Sequence, residues 1–175
     1  MARLPYADLS QKGAAALAQR IIAERGSVLH LYQMLLHSPP VAQGWLGYLT
    51  AIRQQSGLDG ALRELVIMRI AHLNRAPYEA DQHAPIALSE GLSQDQLNGV
   101  ALSPVPSGIF DARQQVVLAY VDAMTLSVQV SDSVFQEVRQ WFSDTEIVEL
   151  TATIAAYNMV SRFLEALQVH SEDAR

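Results

Sequence analysis

The sequence predicts an all-α domain, and three observations carry that reading. Apolar residues recur at three- and four-residue spacing along almost the whole chain, the period of a half-buried helix. Alternating apolar and polar runs, the mark of strands, are few. Helix-start signals are frequent, in the form of capping boxes and a proline placed where a first helical residue belongs. With 175 residues, half of them apolar, the chain can bury one core. The expectation is a single, oligomeric domain of about eight helices, with residues 1–26 as an N-terminal helical extension and 27–175 as the helical domain proper.

The elements follow in order. A first helix is expected from about Asp8 to Arg25, stopped by Gly26. A second runs from about Val28 to His37 and is ended by Pro39-Pro40. The third carries Trp45 and Tyr48 to about Ser56-Gly57. Asp59 is placed to cap a fourth helix over Gly60–Leu73. A fifth opens at Pro77, where the missing N–H costs nothing, and reaches Glu90 before Gly91. Ser93-Gln94-Asp95-Gln96 is a capping box for a short sixth helix. Ser103-Pro104-Val105-Pro106-Ser107-Gly108 is a loop, and a seventh helix spans about Asp111 to Val128. Another starts at Ser131 or Asp132 and runs through Trp141. Ser143-Asp144-Thr145-Glu146 caps a long last helix to about Val169.

The fourth helix differs from the rest. Its polar residues Arg63, Glu64, Arg69 and His72 fall at separate bearings with apolar residues between them, so other helices should enclose it. A carboxylate on such a helix has to be paired, hydrogen-bonded or protonated. On the fifth helix, Glu79 and His83 stand one turn apart on a common face. If the fourth and fifth helices pack antiparallel across the short Asn74–Ala76 turn, Glu64 can approach His83. A carboxylate beside an imidazole in a partly dry pocket makes an acid–base couple, since histidine titrates near neutral pH. Pro85 sits two residues beyond His83 and should bend its helix.

Each of these residues also has a plain structural reading. Glu79 in a first helical turn suits the helix dipole, His83 alone suits a hydrogen-bonded core position, and Glu64 could pair with Arg63 or Arg69. Their combination at this spacing is what points to chemistry. Arg162 on the last helix could hold a substrate carboxylate or pair with Glu165 or Glu146. His30, His37 and His170 sit near helix ends and read as surface groups or partners of helix C-terminal dipoles. No HExxH or His-rich tract appears, so no metal site and no cofactor are assigned.

The residues so far resemble a known family. Arg63-Glu64-Leu65-Val66-Ile67, then Tyr78-Glu79 and His83, then Gly91-Leu92-Ser93, are similar to the reactive segment of the carboxymuconolactone decarboxylase and alkylhydroperoxidase D superfamily. Ser38-Pro39-Pro40 upstream, and Val148-Glu149-Leu150-Thr151 with Tyr157-Asn158 downstream, extend the likeness from about residue 27 onward. The resemblance implies an alkylhydroperoxidase D-like helical fold. It also implies a homo-oligomer, either a trimer or a hexamer. Glu64 and His83 match the family's proton-relay glutamate and histidine. The two family cysteine positions are Ala76 and Glu79 here, and the chain has no cysteine at all, which excludes a disulfide-forming peroxidase cycle. The implied chemistry is therefore that of the cysteine-free branch: proton transfer by Glu64, Glu79 and His83 on a small organic acid or lactone, of lyase type. Tyr78, Arg75 and Arg162 are the candidate substrate-binding residues. A small-molecule binder or scaffold that kept the fold without the chemistry is the alternative.

Charge and hydropathy narrow the partners. A net charge of −6 disfavours nucleic acid and anionic membrane surfaces. No apolar run is long enough to span a bilayer, and the start of the chain does not read as a signal peptide, so the expected compartment is the cytoplasm. Only 17% of residues are charged, which suggests apolar surface buried between subunits.

Overall fold

The computed structural model describes residues 1–173. Among them are nine α-helices and two π-helical turns, and no strand, as the periodicity predicts. The chain forms two compact units, one of Met1–Gln55 with the chain from Leu164 on, the other of Ser56–Phe163. No helix among the described residues is long and apolar enough to cross a membrane.

In the first unit, α1 covers Ala14–Arg25, α2 His30–Leu35 and α3 Pro39–Thr50. The helix start expected at Asp8 lies six residues further on. The Asp8 side chain accepts from the backbone N–H and hydroxyl of Ser10, at 2.9 and 2.7 Å, so its capping capacity closes a local turn instead. Gly26 ends α1 in the left-handed conformation, with φ of 81°. Pro39 and Pro40 occupy the first turn of α3, where a missing N–H is harmless, so they open this helix as well as closing the way for α2. Beyond Thr50 the helix widens into a π-helical turn over Ala51–Gln55, which carries the chain to the expected boundary near Ser56. His30 departs from its surface reading. It is buried, stacks on Tyr6 at 4.8 Å, and places Nδ1 3.0 Å from the His170 carbonyl. His37 is exposed and bonds the Pro5 carbonyl at 2.7 Å.

The second unit is organised around α4, Gly60–Leu73. Asp59 caps it by accepting from the Leu62 N–H at 2.9 Å. Every residue from Leu62 to Ala71 is buried, as the all-round apolar pattern requires, and α5 (Pro77–Ser89), α6 (Gln94–Val100) and α7 (Ala112–Asp122) pack on it. α6 and α7 both begin with complete capping boxes, from Ser93 and Asp111. α7 passes into a π-helical turn over Ala123–Ser127 that ends at Val128, with φ of 64°. α8 spans Asp132–Arg139, and α9, Asp144–Leu167, begins at the Ser143–Glu146 box.

The reversal from α4 to α5 has a specific form. The Ala76 N–H bonds the Ala71 carbonyl at 2.8 Å, and the Arg75 N–H bonds the His72 carbonyl at 3.1 Å. This is the Schellman pattern, which needs one left-handed residue between cap and exit. Arg75 fills that position with φ of 55°. α5 ends the same way at Gly91, where the Leu92 N–H bonds Ala87 at 3.0 Å. α5 stays helical through Pro85.

Candidate proton-transfer site

The compact turn folds α5 back along α4, and the two helices bring Glu64 and His83 together across a sequence separation of 19 residues. His83 Nδ1 lies 2.6 Å from Glu64 Oε2. The second Glu64 oxygen, Oε1, accepts from Arg63 Nε at 3.2 Å. With a guanidinium on its other side, Glu64 acts as the carboxylate acceptor and His83 Nδ1–H as the donor. Arg63 also reaches Glu90 Oε1 at 3.1 Å. Both sequence readings of Glu64 hold at once: it is the partner of Arg63 and of His83. Arg69 takes no part in this cluster. It forms a bidentate pair with Asp122 at 2.6 and 2.7 Å and donates to the carbonyls of Val100 and Leu102.

Burial sets the electrostatics. Glu64 is 0% exposed, Glu79 2% and His83 8%. A charge at Glu64 is therefore supported by protein donors, Arg63 Nε and His83 Nδ1 among them, rather than by water. Tyr157 of α9 stands edge-on to the His83 ring, with centroids 5.2 Å apart and planes at 88°. The ring is thereby held by a perpendicular aromatic contact and, at Nδ1, by a carboxylate. Glu79, one turn before His83, meets the hydroxyl of Ser161, which also lies 3.0 Å from the Tyr157 carbonyl.

The predicted binding residues are spread more widely. Tyr78 is buried at 4% exposure at the start of α5. Arg75 is exposed at the turn, on the rim of a wide hollow of about 520 Å³. That hollow is lined by Ala71, His72, Ala76, Pro77, Ala80 and Asp81 as well. His72, half-buried there, is held below the ordinary imidazole range, first by burial and then by the nearby Arg69 charge. Ala76 and His83 are seven residues apart, so on a helix they differ in bearing by only about 20°. Glu64, Glu79 and His83 are absent from the lining.

Arg162 is exposed and donates to Asn158, at 3.0 Å to the carbonyl and 2.7 Å to Oδ1. Neither Glu165 nor Glu146 pairs with it among the described residues; Glu146 lies 3.9 Å from Arg113. Asn158 is the hub of this cluster, also accepting from Asn74 at 3.1 Å and donating to Thr125 and the Ile154 carbonyl, both at 3.0 Å. Among the described residues, no group of three or more His, Asp or Glu converges as a metal cluster.

Ser161 is the site residue that sequence reasoning missed. A lone serine on a long helix carries no motif. Its only trace is that Tyr157 and Ser161 stand one turn apart, on the face that meets α5.

Comparison with known proteins fits this geometry. The model of the carboxymuconolactone decarboxylase family matches residues 39–123, a span that includes Glu64, Glu79 and His83. Escherichia coli YnjA is 28% identical over 130 residues, covering 74% of this chain and 68% of that protein. A protein of unknown function from Agrobacterium tumefaciens, related in its description to the antioxidant-defence protein AhpD, is 25% identical. It superposes with a TM-score of 0.73 over 79% of this chain and 94% of its own. The alkylhydroperoxidase AhpD core of a peroxidase-related protein from Ralstonia eutropha JMP134 superposes with a TM-score of 0.81 at 18% identity, over 98% of this chain and 93% of its own. Residues 39–123 thus match the carboxymuconolactone decarboxylase family, and the fold is that of alkylhydroperoxidase D-like proteins.

Proposed function

We propose that this protein is a cofactor-independent, decarboxylase-like enzyme that moves a proton on a small organic acid or lactone, with His83 as the transferring group. The single observation that carries the reading is the 2.6 Å contact between His83 Nδ1 and a fully buried Glu64. Holding the Nδ1 proton on Glu64 fixes the ring and leaves basicity at Nε2, and the carboxylate stabilises the imidazolium when Nε2 takes a proton. In loss of carbon dioxide, the carbon–carboxylate bond breaks, its electron pair stays on the substrate carbon as an enolate, and that carbon then takes one proton from an acid in the site. The acid is recharged from water, so the cycle consumes one proton overall. Arg75 on the rim of the hollow, or Arg162, supplies the cation for the substrate carboxylate. Self-association as a trimer or hexamer is part of the proposal, supported by the exposed apolar side chains of Leu126, Val128 and Val148.

The test is incubation with a panel of small carboxylated lactones in heavy water, read by NMR. Turnover that places one deuterium at the carbon losing carbon dioxide, and that His83→Gln abolishes while the oligomer stays intact, is the expected result. Turnover undiminished in that variant would end the mechanism. A second reading is favoured by the near-complete burial of Glu64 and Glu79: a binding protein or scaffold in which the cluster is purely structural. It would be supported by ligand-induced thermal shifts without turnover of any panel member.

A further inference from the structure

The hydrogen bonds around Ser161 constrain the charge of Glu79. The Ser161 hydroxyl is 0% exposed and sits between two oxygens, the Tyr157 carbonyl at 3.0 Å and Glu79 Oε2 at closer range. A hydroxyl has one proton to donate. A carbonyl can only accept, and an ionised carboxylate can only accept, so with Glu79 charged the two contacts would compete for one proton. Both are satisfied when Glu79 is the neutral acid. Its O–H then donates to Ser161 Oγ, and Ser161 donates to the carbonyl one turn back, a bond that helical serines make readily. Burial acts in the same direction, because at 2% exposure a neutral carboxyl avoids the desolvation cost of a charged one.

Glu64 lies on the opposite side of this balance. Its two oxygens face Arg63 Nε at 3.2 Å and His83 Nδ1 at 2.6 Å, donors that favour a carboxylate. The groups around the site include Arg63 and Glu64 from α4, His83 from α5, and Tyr157 and Ser161 from α9. Two buried acids in different surroundings take different protonation states, which divides acid from base within one site.

We infer that Glu79 is held as a neutral carboxylic acid at neutral pH by the Ser161 hydroxyl, which leaves Glu64 and His83 as the ionisable pair of the site. The role of that pair rests on the proton-transfer reading, but the protonation state of Glu79 stands apart from it.

Two measurements on the whole chain test the inference without any substrate. Infrared spectroscopy at neutral pH should show a protonated-carboxyl stretch that Glu79→Gln removes and Glu64→Gln does not. Urea unfolding should show the other signature. The unfolded chain releases the Glu79 proton above about pH 4.3. A folded state that keeps it makes the wild-type folding constant fall relative to that of Glu79→Gln, by up to tenfold per pH unit as pH rises above that value. The glutamine amide can donate to Ser161 as the acid does, so this variant should fold. No such stretch in the wild type, a stretch that survives Glu79→Gln, or a ratio of folding constants independent of pH would each overturn the inference. If the protonation signals appear and the lactone panel shows no turnover, the failure lies with the proposed reaction and not with the state of Glu79.

Discussion

Removing His83 should cost more than removing Glu64, although the two share one contact. His83→Leu leaves the Glu64 carboxylate at 0% exposure without its 2.6 Å imidazole partner, while Arg63 Nε stays at 3.2 Å. Breaking a buried pair by deleting one partner costs about 3–5 kcal/mol. Glu64→Met takes the charge itself away. Arg63 then still reaches Glu90 at 3.1 Å, and His83 can stay neutral, so the loss should be about 1–3 kcal/mol, the cost of an unsatisfied buried polar group. In the double variant neither group remains, and the sum of the single losses should exceed the double by about 2 kcal/mol. Urea unfolding of the four proteins at pH 7 measures all three terms. A coupling energy below about 0.5 kcal/mol, or Glu64→Met proving the costlier single change, would refute a charged, mutually dependent pair.

Four further outcomes follow from the same structure. Arg69 is 2% exposed and makes four hydrogen bonds, two of them to Asp122, so Arg69→Met should destabilise by about 3–5 kcal/mol in chemical denaturation. Asp122→Asn should cost less, because Asp122 is 32% exposed. Arg75→Gly should raise stability by about 0.5–1 kcal/mol in the same assay, since glycine holds the left-handed conformation at φ of 55° without a Cβ penalty. His72 is held below its unfolded value of 6.5 by burial and Arg69. Between its folded value and 6.5 the unfolded chain binds more protons, so stability should fall as pH drops through that window, and His72→Gln should flatten that slope when unfolding is compared at pH 5 and pH 7.

Much of the second unit was legible because its signals are local. The Asp59 cap, Pro77 at a first helical position and the Ser93 and Ser143 boxes each act within one turn, and the helices they open start where those residues place them. The Glu64–His83 meeting was legible from a short turn and one-turn spacing on α5. What was hidden depends on partners distant in sequence or on competing local bonds. Asp8 looks like a helix cap but closes a turn with Ser10. The π-helical turns after α3 and α7 carry no residue signature. His30 is buried through Tyr6 and His170, and Arg69 is matched by Asp122, 53 residues away. Ser161 could not be linked to Glu79, 82 residues earlier, before α9 was laid beside α5.

The central claim is that Glu64 holds the Nδ1 proton of His83 and leaves Nε2 to exchange. Nitrogen-15 NMR of the His83 ring across a pH titration reads this directly. The expected result is an Nδ1 that keeps its proton at every pH where the protein is folded, with protonation and loss confined to Nε2. A ring that loses the proton from Nδ1 and retains it on Nε2 would contradict the claim.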